Sequence, residues 1–263
     1  FQKFPPTELL AAIFLRVDKN EDSLLSIGEL SEYINFQIQK HINQGMQENY
    51  GLFMSIDREP ANGVITWFEY HKHFLLKNGI QEDYVDGHNE HHEDLKRSIK
   101  EIIARDKASW FEAARTDPDS LTLDEFLAFR HPESSHTTIL ALVDELLDKL
   151  DRDGDEILTE EEFARLQVGE GGEGLLSQGE FERREIFRLM LDADGDGKAD
   201  RKELLMYIDP KNPRHAREEA ETLVTLADTD HDGKLSLSEV LSKMDLFLGS
   251  KMVDTAKSFH DEF

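Results

Sequence analysis

The sequence predicts an all-α protein: six helix–loop–helix units in three pairs, with short two-stranded β links between paired loops. Three observations predict it. Acidic clusters begin at residues 18, 57, 114, 151, 192 and 228 of the 263-residue chain. Members of successive pairs are therefore roughly 37 residues apart, the period of a repeat array. Each cluster follows an amphipathic run whose apolar residues recur at helical spacing, and longer polar stretches separate one pair from the next.

The first pair is expected over residues 1–86, where Leu10, Ile13, Phe14 and Val17 make a single apolar stripe leading to Asp18. Lys77 to Glu93 is polar and His-rich and reads as a linker. The second pair, residues 87–168, carries the stripe Val143, Leu146, Leu147 and Leu150 before Asp151. Gly169 to Gly174 reads GEGGEG, a flexible spacer. The third pair, residues 169–263, carries Ala220, Leu223, Val224 and Ala227 before Asp228 and ends in a short tail. Pro132 and Pro210 follow exiting helices and Pro213 opens the next one. The stripes are core, packing one unit of a pair against the other.

Lys and Arg number 30 against 56 Asp and Glu, a net charge of −26. That excess argues against nucleic-acid binding, which needs basic groups to release phosphate counterions. It suits cations or basic partners. Apolar residues make up 38% of the chain and cluster at helical spacing, so a disordered acidic chain is disfavoured. No stretch approaches the ~20 apolar residues of a membrane-spanning helix, and no membrane insertion is expected. The opening FQKFPPTELL lacks a basic segment followed by an apolar run, so no signal peptide is expected there. There is no cysteine, so no disulfide supports the fold and the redox compartment stays open. His260-Asp261-Glu262-Phe263 is similar to the KDEL/HDEL class of retrieval tags, which makes a lumenal address the expectation.

The clusters match the EF-hand loop, D-x-[DN]-x-[DN]-G-x5-E. Calcium takes six to eight hard oxygen ligands: side chains at positions 1, 3 and 5, a carbonyl at 7 and a bidentate Glu at 12. Position 6 turns sharply, which Gly does without steric cost. Two loops fit completely. DADGDGKADRKE offers Asp192, Asp194, Asp196, the Lys198 carbonyl and Glu203, with Asp200 at position 9 either coordinating or orienting a water. DTDHDGKLSLSE offers Asp228, Asp230, Asp232, the Lys234 carbonyl and Glu239. Two more are complete except at the turn. DRDGDEILTEEE offers Asp151, Asp153, Asp155, the Ile157 carbonyl and Glu162, with Glu156 at position 6. DKNEDSLLSIGE offers Asp18, Asn20, Asp22, the Leu24 carbonyl and Glu29, with Ser23 there. A left-handed non-Gly residue costs roughly 1 kcal/mol, so these two are expected to bind more weakly.

The remaining two loops read as structural half-partners without metal. DREPANGVITWFE, from Asp57 to Glu69, has one residue too many; its front half is out of register and stiffened by Pro60, while Gly63, Ile65 and Glu69 keep positions 6, 8 and 12. ARTDPDSLTLDE places Ala114, Thr116 and Pro118 where ligands belong. His88, His91 and His92 have no partnered ligand pattern and read as solvated linker, not a zinc site; Trp67 and Trp110 read as core. No catalytic constellation or phosphate-cradling glycine loop appears, so no enzyme activity is expected. Six scattered methionines do not suggest a Met-rich target groove.

Six such loops, no cysteine and a terminal HDEF together resemble the CREC family of lumenal multiple EF-hand proteins, the reticulocalbin and calumenin type. The segments Asp124-Glu125-Phe126-Leu127-Ala128-Phe129-Arg130-His131-Pro132-Glu133 and Phe247-Leu248-Gly249-Ser250-Lys251 are most similar to its Golgi-lumen branch. The tail HDEF is closer to that of calumenin, which leaves Golgi and endoplasmic reticulum both open. The resemblance implies bound Ca2+, calcium-dependent self-association, and help in sorting secretory cargo. A passive calcium buffer, or a regulator of one lumenal enzyme, are the alternatives.

Overall fold

The computed structural model describes residues 5–58, 61–80, 95–165 and 173–262. Pro60, His88, His91, His92 and residues 169–172 of the expected spacer lie outside the described residues, and the last two residues of that spacer already open a helix. The chain is mostly helical, and among the described residues three two-stranded antiparallel sheets accompany the helices. No described helix is long and apolar enough to cross a membrane.

The chain forms two compact units, residues 1–41 with 139–263, and residues 42–138. In the first, α1 (Pro6–Val17) buries Leu10, Ile13, Phe14 and Val17, the stripe expected from spacing. It packs against α11 (Leu237–Ser242) and α12 (Met244–Leu248). After α1 come β1 (Leu24–Ser26) and α2 (Ile27–Ile56), within which the boundary between the units falls. The second half of this unit runs α6 (His136–Leu150), β4 (Leu158–Thr159), α7 (Glu160–Ala164), α8 (Glu173–Ile186), β5 (Lys198–Ala199), α9 (Arg201–Ile208), α10 (Pro213–Ala227) and β6 (Lys234–Ser236). A terminal helix, α13 (Thr255–Glu262), follows α12. Val143, Leu147, Leu150, Leu158, Phe163, Phe187, Leu191, Ala199 and Leu204 form one core cluster, with Leu146 packed against it. α8 passes into a π turn, Phe187–Leu191, which aims Phe187 and Leu191 into that cluster.

The second unit takes the rest of α2, then β2 (Val64–Thr66), α3 (Trp67–Lys77), α4 (Arg97–Ala113), β3 (Ser120–Thr122) and α5 (Leu123–Arg130). Its core is aromatic. Phe53, Tyr70, Trp110 and Phe126 are buried with Ile56, Ile65 and Leu121, and Trp67 and Phe129 pack against them. The Trp67 and Trp110 ring centroids lie 5.3 Å apart, edge-on; Trp110 is a core residue as expected, while Trp67 is half-buried against that core.

The strands correct the expected pairing. The loops do not pair in chain order. β1 pairs with β6, placing Leu25 opposite Leu235; β2 pairs with β3, placing Ile65 opposite Leu121; β4 pairs with β5, placing Leu158 opposite Ala199. All six of these residues are fully buried. The first and second loops, which adjoin the two ends of the 30-residue α2, thus pair with the last and the third loop respectively.

Candidate metal-binding loops

Each loop is built from the same local interactions. The backbone N–H of the first loop residue closes the entry helix. Asp18 donates to Phe14, Asp57 to Phe53, Ala114 to Trp110, Asp151 to Leu147 and Asp228 to Val224. Asp192 donates one residue further back, to Phe187 at 2.9 Å, which is the π turn that ends α8. The carboxylate at position 1 then accepts the N–H of position 6: Asp18 from Ser23, Asp151 from Glu156, Asp192 from Gly197 and Asp228 from Gly233, each at 2.9 Å. Position 5 accepts from position 7: Asp22 from Leu24, Asp155 from Ile157, Asp196 from Lys198 and Asp232 from Lys234, at 2.7–2.9 Å.

The glutamate at position 12 joins the two ends of the loop. One Glu29 oxygen accepts from the N–H of Lys19, and Glu162, Glu203 and Glu239 do the same from Arg152, Ala193 and Thr229. Their other oxygens accept from position 9, which is also the N-cap of the exit helix. Thr159, Asp200 and Ser236 each complete a capping box with the glutamate three residues on, and Ser26 makes the same contacts with Glu29. An Oδ1 of Asp200 thus accepts the Glu203 N–H at 2.8 Å, so its role in the structure is to cap α9. The signature S/T/D-x-x-E in the sequence is the signal for this cap.

The result is convergent oxygen donors. In three loops, Asp151–Asp153–Glu162, Asp192–Asp194–Glu203 and Asp228–Asp230–Glu239, one carboxylate oxygen from each residue lies within 4.8 Å of the others. Asn20 stands at the corresponding place in the first loop and supplies an amide oxygen instead, which accepts the Asp22 N–H at 2.9 Å. Such crowding works against ionisation. The Asp232 N–H favours the charged form of Asp230, yet desolvation and repulsion by Asp232, Glu239 and Asp228 raise its carboxyl above the ordinary value. Asp153 is raised in the same way by its own neighbours Asp155, Glu162 and Asp151. Glu239 goes the other way: N–H donors from Ser236 and Thr229 hold it down at about 2. A set of hard, ionised, mutually repelling oxygens fits a hard divalent cation of calcium's size and coordination number.

The backbone adds a constraint at position 4 that the motif does not contain. Glu21, Gly154, Gly195 and His231 all have positive φ, as do Ser23, Glu156, Gly197 and Gly233 at position 6. Only the loop at Asp192 has glycine at both places. The loops at Asp151 and Asp228 each hold one left-handed non-Gly residue, and the loop at Asp18 holds two, at roughly 1–2 kcal/mol apiece. The loop at Asp228 is thus strained like that at Asp151, although its motif is complete.

The loop from Asp57 to Glu69 also departs from expectation. Asp57 accepts the Gly63 N–H at 2.9 Å and Asn62 accepts that of Val64 at 3.1 Å, the bonds made elsewhere by positions 1 and 5. Asp57 and Asn62 thus take the places of positions 1 and 5. Glu69 forms a capping box with Thr66. In the loop ending at Glu125, the Asp117 carboxylate accepts from the Asp119 N–H and the Ser120 hydroxyl, while the Asp119 carbonyl accepts from the Trp67 N–H at 3.2 Å. Glu125 is satisfied by Arg115, Thr116 and both donors of Thr122. Burial works to raise it, but the Thr122 and Thr116 donors prevail and hold it at about 2.

Comparison with known proteins agrees with this architecture. The EF-hand family model matches residues 225–242, which contain the loop at Asp228. The chain is 35% identical to the 45 kDa calcium-binding protein of Xenopus tropicalis over 97% of its own length and 72% of the relative's. It is 33% identical to the proteins of that name from Gallus gallus and Homo sapiens, over 97% of the chain and 73% and 72% of theirs. No solved structure matches. The chain belongs to the family of the 45 kDa calcium-binding proteins, within the CREC group of EF-hand proteins.

Proposed function

We propose that this protein is a six-hand EF-hand calcium-binding protein without catalytic activity. Four of its loops hold Ca2+: Asp18–Glu29, Asp151–Glu162, Asp192–Glu203 and Asp228–Glu239. One observation carries the reading: three independent loops bring carboxylates from positions 1, 3 and 12 together within 4.8 Å, each at the junction of two helices. The loop ending at Glu125 lacks side-chain donors at positions 1 and 5 and acts as the structural partner of the loop at Asp57. That loop, with Asp57, Asn62, the Val64 carbonyl and Glu69 in register, ranks behind the four. The names of the relatives support the choice of calcium.

Affinities of roughly 10⁻⁴–10⁻³ M, those of extracellular modules, suit the secretory-pathway lumen. A Golgi address, with the endoplasmic reticulum as the alternative, rests on the family resemblance. So do calcium-dependent self-association and a part in sorting secretory proteins, with passive buffering as the rival. Calorimetric titration of the whole chain tests the core reading. Four sites are expected, and Glu203→Gln and Glu239→Gln should each remove one, since each deletes a bidentate ligand. A chain that takes up no heat-detectable calcium at millimolar concentration would refute it. Sizing and pull-down of secretory proteins with and without calcium separate a sorting protein from a buffer, which would stay monomeric and partnerless.

A further inference from the structure

The pairing of the first loop with the last brings together two residues 212 positions apart. The Nζ of Lys234 lies 2.8 Å from an Oδ2 of Asp22. Lys234 is at position 7 of its own loop, where its carbonyl is the backbone ligand, and Asp22 is the position 5 ligand of the partner loop. Asp22 meets few other donors: the Leu24 N–H at its Oδ1, and the Asn20 amide at 3.3 Å.

We infer that Lys234 is a determinant of affinity at the partner site, its ammonium competing with calcium for the Asp22 carboxylate in the loop at Asp18. The inference rests on the calcium reading of that loop. A cation binding there must either displace the ammonium from Asp22 or accept a positive charge beside it, and both oppose binding. The same residue lends its carbonyl to the loop at Asp228, so one side chain and its backbone serve two sites. In the other loop with lysine at position 7, Lys198 stands opposite Thr159 as Lys234 stands opposite Ser26, yet Lys198 forms no ion pair among the described residues. The antagonism therefore belongs to the pairing of first and last loops, not to lysine at position 7 as such.

Lys234→Met removes the charge and keeps the backbone and aliphatic stem; Lys234→Arg keeps the charge; Lys243→Met removes an exposed charge outside any loop. The readout is the amide resonance of Ser23 in the whole 15N-labelled protein during calcium titration, because Ser23 N–H bonds to Asp18. With the competing ammonium of an exposed ion pair removed, the Ser23 midpoint should fall about 1.5- to fivefold in Lys234→Met. It should stay at the wild-type value in Lys234→Arg and Lys243→Met. A Ser23 midpoint unmoved in Lys234→Met, or lowered equally in Lys243→Met, overturns the inference while leaving the site intact. A Ser23 amide that never responds to calcium in the wild type overturns the ion-binding reading of that loop, and this inference with it.

Discussion

If β1 pairs with β6, Leu25 and Leu235 are one packing unit, and their energetics must be coupled. The two residues are opposite each other in register, and neither exposes any surface. Truncating a buried leucine to alanine costs about 2–5 kcal/mol, so Leu25→Ala and Leu235→Ala are each expected to destabilise the protein by about 3 kcal/mol. Once one is truncated, the other has already lost its cross-strand neighbour. The double variant should be less destabilised than the sum by about 0.5–1 kcal/mol or more. The contrast is Leu25 with Ile65, the partner that chain-order pairing would give it. Ile65 faces Leu121 instead, so Leu25→Ala and Ile65→Ala should add. Urea unfolding in excess calcium, followed by circular dichroism, supplies the free energies; the bound ions add stability that keeps the double variants folded. Additivity at Leu25/Leu235 together with coupling at Leu25/Ile65 would refute the closed pairing of first and last loops.

Three further outcomes are expected. Glu125 has its pKa lowered from 4.5 to about 2. Its stabilisation is therefore fully present above the unfolded-state value and lost as pH falls between about 4.5 and 2. Glu125→Gln should cost about 2–3 kcal/mol at neutral pH and flatten that acid limb in thermal melts recorded against pH. Gly197→Ala places a Cβ in open space but at φ +84, so it should cost about 1 kcal/mol from backbone strain alone. Gly28→Ala, in the first turn of α2 with ordinary contact to Ser26, should be neutral or stabilising in the same assay. Finally, repulsion among unneutralised loop carboxylates predicts that chelation loosens the chain and millimolar calcium compacts it. Far-ultraviolet dichroism and hydrodynamic radius should both change, and constancy of both would count against the mechanism.

Much of this protein is legible in its sequence because its determinants are local. Ligand type and spacing place Asp192, Asp194 and Glu203 around one point wherever the loop sits in the chain. The stripe Leu10, Ile13, Phe14 and Val17 follows from helical period alone. The capping serines, threonines and Asp200 before the position-12 glutamates are equally readable, since an N-cap needs only its own next three residues. Strain at Glu21 and His231 is not, because no motif letter marks position 4; it emerges from the backbone path that turns the loop. Nor is the partner of each loop. A position 8 leucine announces that it will be buried, not against which strand. That choice goes with tertiary contacts within the first unit, where α1 packs on α11 and α12. The contact between Asp22 and Lys234 exists only because of it: a side-chain pair separated by most of the chain is fixed by tertiary packing, not by any local rule.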